Sequence, residues 1–510
     1  MMRITFLSLG FEQLGISLLS AIAKQHGHHV GLAYSAALFD DRYNFNMPAL
    51  SCLFNEDKVV LETIERQQPD VLACSPITST YQWMLTIAQK AKEKNSNLKI
   101  IFGGPHVSAV PDVVMEQEAV DYLCIGEGEE AFPLILSAIE RNGNPASIPN
   151  VWYRNTKGEI VKGKQGPFIQ DLDRLPIFDK TLWEDYIRVG DPYYTMATRG
   201  CPYRCSFCFN SYFSHLHTGD SAYIRYRSVE HVINELRWAK QRYKLKMIFF
   251  QDDVFTFNKE WIRIFLERYK KEIEIPFECL SHPRFIDEEI VRWLKEAGCL
   301  FVHIGIETLD ERYKKEVLKR AETNQSIEKV MALMAKYKIN VKTDHMLDLP
   351  GEDLSAQAAA WKFYQRYTPY RIQTFWTNLL PGTEMMKKAI ADGTLDLEMS
   401  RRIDRGEIVS FFRKRHFSGD RKRYKVYKAY ECAFKLISCL PPWLKKKNIP
   451  AGLSKLPFWV ISVLCFLADG AIGLIKNNID HTSYIRHYFF HIRRLAAQRC
   501  HLPVRPATRI

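Results

Sequence analysis

The sequence predicts an α/β protein made of a doubly wound parallel sheet, an open six-stranded β/α partial barrel and an α-helical C-terminal region. Three observations predict it. Short apolar runs alternate with amphipathic stretches over residues 1–145, the rhythm resumes over 191–405, and residues 406–510 abandon it for basic, aromatic-rich helical sequence. At 510 residues the chain is too long for one core, and 46% apolar with 25% charged residues is a globular composition.

In the first series, residues 4–9, 30–34, 71–75, 99–102 and 122–125 read as strands, with helices at 13–25, 58–67 and 81–95 between them. Ligands in such folds sit beyond the carboxyl ends of the strands, where the loops read Gly103-Gly104-Pro105-His106 and Gly126-Glu127-Gly128-Glu129. Residues 146–190, rich in Pro, Gly and Asp, read as a linker carrying a small hairpin at 151–154 and 159–161. The second series has strands near 194–198, 247–250, 277–281, 301–305, 341–345 and 371–376. Six repeats are too few to close an eight-stranded barrel, so the sheet should stay open, with its active site at the strand ends.

Charge divides the chain in the same way. Residues 406–510 hold 20 Lys and Arg against 5 Asp and Glu, a balance of +15, and the preceding residues are nearly neutral at −2. That localisation excludes a nucleic-acid-binding reading for the first two series and confines it to the tail, where unpatterned aromatics give it little support. The N-terminus enters a strand without a secretory signal, so the expectation is a cytoplasmic protein whose 12 cysteines are thiols or metal ligands.

The string Arg199-Gly200-Cys201-Pro202-Tyr203-Arg204-Cys205-Ser206-Phe207-Cys208 follows the first strand of the second series with the spacing CxxxCxxC. Three thiolates on one loop suit three irons of a cubane that normally takes four cysteines, which leaves one iron open to a small chelating molecule. The competing reading is a structural zinc with His215 or His217 as fourth ligand. Zinc cysteines usually come as two CxxC pairs, and no second pair is present. Cys74, Cys124, Cys279 and Cys299 lie in apolar strands, and Cys52, Cys432, Cys439, Cys465 and Cys500 have no metal-like spacing.

With an aromatic Phe207 before its last cysteine, this motif on the first loop of a partial barrel resembles the radical S-adenosylmethionine superfamily. The preceding domain, with its two glycine loops, is similar to the cobalamin-binding, Rossmann-like domain of the cobalamin-dependent branch. Phe250-Gln251-Asp252-Asp253, Gly305-Ile306-Glu307-Thr308, Leu349-Pro350-Gly351-Glu352 and Leu380-Pro381-Gly382-Thr383 stand where that branch carries similar strings. The resemblance implies a 4Fe-4S cluster on Cys201, Cys205 and Cys208 that binds S-adenosylmethionine, with reductive cleavage to methionine and a 5′-deoxyadenosyl radical. It implies that Asp252, Asp253 and Glu307 hold the methionyl group; capping of the next helix is the competing role for these acids. It further implies that Gly103, Gly104, Gly126 and Gly128 admit a corrinoid closely. Ser75 and Thr78 would hydrogen-bond its amides or cap the helix at 81–95, and His106 lies in a ligand-facing loop.

Two strings depart from the family's pattern. The loop Gly10-Phe11-Glu12-Gln13-Leu14-Gly15 lacks the DxHxxG by which one class of cobalamin proteins supplies a histidine to cobalt, and Asp348 stands where the branch usually has glycine. In the tail, residues 456–475 form an apolar run interrupted only by Asp469, whose insertion at a bilayer centre would cost about 2.5–3.5 kcal/mol. An interfacial helix, with peripheral contact at the cytoplasmic face of a membrane, is favoured over a span; a cap over the barrel mouth is the alternative. The tail is expected to be separable, leaving residues 1–405 able to hold the cluster alone.

The activity these features imply is methylation of an unactivated carbon in a small-molecule or lipid-like substrate, with an electron donor such as flavodoxin or ferredoxin. The alternatives are a cobalamin-dependent radical cyclisation, as in tetrapyrrole ring formation, and a cobalamin-binding regulator with an inert barrel. A methylthiotransferase would need further cluster cysteines, and Cys52, Cys74 and Cys124 lie in unsuitably apolar settings.

Overall fold

Strands that are buried on both faces must be covered on both sides, and the first series meets that demand by pairing in parallel. In the computed structural model, which describes residues 1–40, 47–218, 221–408, 421–476 and 479–499, β1 (Arg3–Leu9), β2 (His29–Ser35), β3 (Val71–Cys74), β4 (Lys99–Phe102) and β5 (Tyr122–Cys124) form the parallel part of one sheet. The expected linker hairpin, β6 (Val151–Arg154) and β7 (Ile160–Lys162), does not stand apart. It adds antiparallel to β5, giving a seven-stranded order β2-β1-β3-β4-β5-β6-β7. The order reverses between β1 and β3, so the ligand-binding crevice of this fold class opens over the loops that follow those strands.

The second sheet contains β8 (Tyr193–Thr195), β11 (Ile248–Phe250), β12 (Phe277–Ser281), β13 (Cys299–Glu307), β14 (Asn340–Leu347) and β15 (Arg371–Trp376), parallel and in sequence order. Its two end strands do not pair, as six repeats require. The strand expected at 194–198 is split. After β8 the chain leaves the sheet, and β9 (Thr198–Arg199) pairs antiparallel with β10 (Arg225–Tyr226). The reason is a side chain: Asp252 accepts the Ala197 N–H at 3.0 and 3.2 Å and the Thr198 hydroxyl at 2.6 Å, replacing the ladder bonds that continuation would have given.

The tail is not a detachable appendage. Its first helix, Arg421–Leu436, buries Tyr427, Ala433 and Phe434 in the main core, and Glu431 accepts the Trp376 indole N–H at 3.1 Å. A later helix, Ile479–Arg499, packs on the segment between the two sheets, where Arg486 pairs with Asp191 at 2.9 Å and His491 bonds the Tyr186 carbonyl at 2.8 Å, and it reaches the first sheet at Tyr34, whose ring lies 5.5 Å from that of His491. Removing residues after 406 therefore strips core, contrary to the separability expected from charge and composition. One basic, aromatic string of the tail, Phe411-Phe412-Arg413-Lys414-Arg415, lies outside the described residues. Among those described, no helix is long and apolar enough to cross a membrane.

Candidate active site

The cysteine loop is fixed before and after its thiols. Gly200 has φ +91°, and a Cβ there would stand 2.5 Å from the Tyr223 carbonyl oxygen, so only glycine fits between β9 and Cys201. The Cys208 N–H donates to Cys205 O at 3.0 Å, and Cys208 begins the helix Phe209–Leu216. Ser206, between them, donates its hydroxyl to Val317 O at 2.6 Å and its N–H to Leu318 O at 3.1 Å. Burial pushes the thiols of Cys201 and Cys208 up to about 12 and raises Cys205 as well. Sequestered thiols that interact with one another stay protonated without a cation and become thiolates when a metal supplies the charge, so the donor set fits an iron–sulfur cluster. Among the described residues no three His, Cys, Asp or Glu side chains converge as a single metal ion would require; a cubane asks instead for thiolates on separate irons.

The two aspartates after β11 differ. Asp252 is fully buried, and burial lifts its carboxyl to about 6 despite the bonds from Thr198 and Ala197. Both its oxygens are taken up within the barrel wall, so a direct contact to a ligand ammonium, expected from the sequence, does not suit it. Asp253 is the member of the pair open to a ligand. It is solvent-accessible yet hemmed in by enough protein to raise its carboxyl; Asn210 donates to it at 2.6 Å, and its charge is felt at Cys201 and Cys208.

Glu307 ends β13 at a register irregularity, with φ +62°, a region that non-glycine residues seldom adopt. Burial raises its carboxyl to about 7 against the pull of Arg320, 3.7 Å away. Arg320 also donates to Glu322 and to the Gly305 carbonyl, both at 2.6 Å, and Glu322 bonds His282 at 3.1 Å. Arg320 lowers the rise at Cys205, so this chain of side chains sets one cation beside the cysteine loop. Nothing in the sequence singled out Arg320, Glu322 or His282.

On the first sheet, Gly104 has φ +81°, and a Cβ there would stand 2.6 Å from the Ser75 hydroxyl; Gly126 has φ +79°. Gly103 and Gly128 follow ordinary backbone paths in which a Cβ would meet only contacts of 3.4 Å or more. Neither Ser75 nor Thr78 caps the next helix. Thr80 accepts the Ile77 N–H there, at 3.2 Å, while Thr78 bonds His106 Nδ1 at 3.2 Å. His106 lies against Tyr81 with ring centroids 4.3 Å apart, and burial holds it neutral, down to about 3. Gln13 Nε2, His106 Nε2 and Glu129 Oε2 are buried without a partner among the described residues; Gln13 and Glu129 lie in the loops after β1 and β5, and His106 lies not in a loop, as expected, but in the short helix Gly104–Ala109 that follows β4. Unsatisfied amide, imidazole and carboxylate atoms along one edge fit a large ligand bearing amide groups. Counted back from Gly15, the histidine position of a DxHxxG string falls on Glu12, which is paired with fully buried Lys180.

The glutamates of the second glycine loop do something the sequence did not suggest. Arg199, two residues before Cys201, donates to Glu127 at 3.0 Å and to Glu129 at 2.5 Å, and Arg225 donates to Glu127 at 2.9 Å. Burial opposes ionisation of Glu127, but Arg199 and Arg225 outweigh it and hold the carboxyl below its ordinary value. A second tie runs from the helix after the cysteines, where the Tyr212 hydroxyl donates to Ser108 O at 2.7 Å, while Ser108 Oγ accepts the Gly126 N–H at 2.9 Å. The cysteine loop and the glycine loops thus form one continuous wall. The sequence signal for the first tie was Arg199 itself, adjoining the motif. Asp348 has φ +58°, which explains why an aspartate can replace the family's glycine: its short polar side chain tolerates the left-handed region.

Residues 195–360 match the Radical SAM superfamily and residues 13–136 match the B12 binding domain. The chain is 28% identical over 416 residues to an uncharacterised methyltransferase of Pyrococcus horikoshii, covering 79% of this chain and 87% of that one. It is 23% identical over 419 residues to an anaerobic magnesium-protoporphyrin IX monomethyl ester cyclase of Rubrivivax gelatinosus, covering 77% and 73%. Its fold is similar to that of the cobalamin-dependent S-adenosylmethionine radical enzyme OxsB, with TM-score 0.62 and 13% identity over 98% of this chain and 80% of that one. A B12 binding domain joined by buried ion pairs to the cysteine loop of a partial barrel places this chain in the radical SAM superfamily, in its cobalamin-binding branch.

Proposed function

We propose that the protein is a cobalamin-dependent radical S-adenosylmethionine enzyme that methylates an unactivated carbon of a small-molecule or lipid-like substrate. The observation that carries this reading is the tie of Arg199 to Glu127 and Glu129, which sets the three thiols against the glycine loops of the first sheet. Cys201, Cys205 and Cys208 would hold a 4Fe-4S cluster, Asp253 and Glu307 would receive the amino group of S-adenosylmethionine, and Ser75, Gly104, His106 and Gly126 would line the cobalamin side. Bound together, these groups supply a radical generator and a methyl carrier. The chain's own part is positional and electrostatic. Arg320 offsets thiolate charge at Cys205, Asp252 holds the strand that delivers Cys201, and burial keeps water from the reacting groups. An electron donor such as flavodoxin or ferredoxin, and peripheral contact with the cytoplasmic face of a membrane through residues 406–510, complete the reading.

Anaerobic reconstitution of the full chain with iron, sulfide and hydroxocobalamin tests it. About four irons per chain and release of 5′-deoxyadenosine from S-adenosylmethionine are expected; tight stoichiometric zinc without iron overturns it. Metabolites and lipids of a deletion strain, compared with its parent, should reveal a substrate that the enzyme converts to a product heavier by CH2, one hydrogen being replaced by a methyl group. The cyclase relative favours one second reading, radical cyclisation, and a product without the methyl increment would select it. Cluster assembly without cleavage would point to a cobalamin-binding regulator.

A further inference from the structure

The helix Phe458–Ile475 is apolar on faces that do not share a fate. Ile461, Cys465, Ala468 and Ile472, spaced by four, three and four residues, form its buried stripe, and the first two cluster with Ala429 and Cys432 of the Arg421–Leu436 helix. The other side is exposed: Trp459 to 69%, Val463 to 50% and Leu467 to 56%. Just upstream, Trp443 is 66% exposed on the short helix Pro442–Lys445. An apolar surface of this kind on a helix that could have presented polar side chains marks an interaction site.

Charge identifies what covers it. Lys446, Lys447 and Lys455 are exposed on the segment leading into the helix, and none of them takes part in an ion pair among the described residues. A second copy of the chain would bring the same cations to the same face, whereas an anionic lipid surface offers headgroup phosphates for the lysines and an acyl boundary for the aromatic and aliphatic side chains. Tryptophan side chains are at home at that boundary. Because one side of the helix is packed against protein, and no described helix is long and apolar enough to cross, the helix must lie along the surface.

We propose that the outer face of the Phe458–Ile475 helix, with Trp443 and the lysines at 446, 447 and 455, docks in the plane of an anionic membrane. The inference rests on the peripheral contact proposed above and names the face that makes it. It also brings the barrel to the lipid. The Arg421–Leu436 helix, on which the docking helix sits, donates from Arg423 to the Glu352 carbonyl in the loop after β14, beside a small cavity lined by Asp348, Glu352, Thr394 and Arg423.

The test uses the full-length, cluster-loaded enzyme with vesicles of phosphatidylcholine alone or mixed with phosphatidylglycerol. Wild type should sediment with the mixed vesicles only, and less at high salt. Trp459→Glu combined with Leu467→Glu should weaken binding at least about tenfold, and Lys→Glu at 446, 447 and 455 should abolish it. Both variants should keep the cluster absorption, because the altered side chains meet solvent. Equal binding by wild type and both variants would overturn the assignment to this face while leaving peripheral contact intact. No binding by wild type would overturn both, yet leave the radical enzyme reading standing if S-adenosylmethionine is still cleaved. Concentration-dependent dimers lost in the Trp459→Glu variant, without vesicle binding, would assign the face to a second copy and also overturn the proposal.

Discussion

The two sheets present their carboxyl edges to each other, but they treat charge in opposite ways. At the barrel edge, burial outweighs the partners of Asp252, Glu307 and Glu352, and their carboxyls rise to about 6, 7 and 7. At the edge of the first sheet, Glu127 is also largely enclosed, yet Arg199 and Arg225 hold its carboxyl down. Apart from Glu322, which His282 and Arg320 hold down to about 2 against burial, the barrel side keeps acids and thiols that an incoming cation or metal would neutralise; the other side has Glu127 neutralised by protein and offers glycine backbone and unpaired amide and imidazole atoms. Edges of similar topology are thereby suited to different ligands, a charged one and a large, largely neutral one.

The sharpest way to break this contrast is to remove the demand for positive charge on the barrel side. Cys205→Ala should abolish both iron incorporation and 5′-deoxyadenosine formation, read by iron content, cluster absorption and chromatography; a variant that retains both would refute the three-thiol site. The next largest effect should come from the junction. Glu127→Ala leaves Arg225 buried without its carboxylate, a change that costs about 3–5 kcal/mol in comparable buried pairs, seen as a lower denaturation midpoint. Cobalamin retention should fall with it, since the glycine loop loses its anchor.

The pH dependence of stability should then separate the two edges by sign. Glu352 sits near 7 in the folded chain against an ordinary 4.5, so its protonated form favours the fold. Its contribution is complete below about 4.5 and lost as pH rises through 7, a difference on the order of 1–3 kcal/mol. Glu352→Gln should flatten that decline in thermal midpoints of the metal-free protein between pH 5 and about 8. Glu127 acts in the opposite direction: its ionised form is favoured, so its contribution persists at neutral pH and is lost as acid protonates it. If Glu352→Gln leaves the slope unchanged, the contrast between the edges is not electrostatic.

The smallest effect is expected at His106. Already neutral, it lies against Tyr81 and shares one hydrogen bond with Thr78, so His106→Phe should cost about 1 kcal/mol. Histidine nitrogen-15 labelling of the cobalamin-loaded enzyme should leave the cobalt(II) paramagnetic spectrum unaltered, because the DxHxxG position is occupied by Glu12. A nitrogen-dependent change that disappears in His106→Phe would make this residue the cobalt ligand.

Sequence alone determined the two β/α series, the open barrel, the cysteine loop and the glycine turns at 104 and 126. These follow from local rules: apolar period sets strand or helix, spacing sets which thiols share a loop, and a positive φ selects glycine. Tertiary structure decided what the same strings do. Asp252 and Asp253 are neighbours in sequence, yet one braces β9 and the other faces the thiols, because side chains on successive residues leave a strand end in different directions. Glu127 finds Arg199 and Arg225 from 72 and 98 residues away. The +15 tail turned out to be part core and part exposed apolar helix, since only packing distinguishes the stripe at Ile461 and Cys465 from the equally apolar face at Val463 and Leu467. Local pattern fixes what a segment can bury; the partners that bury it, or leave it bare, come from the rest of the chain.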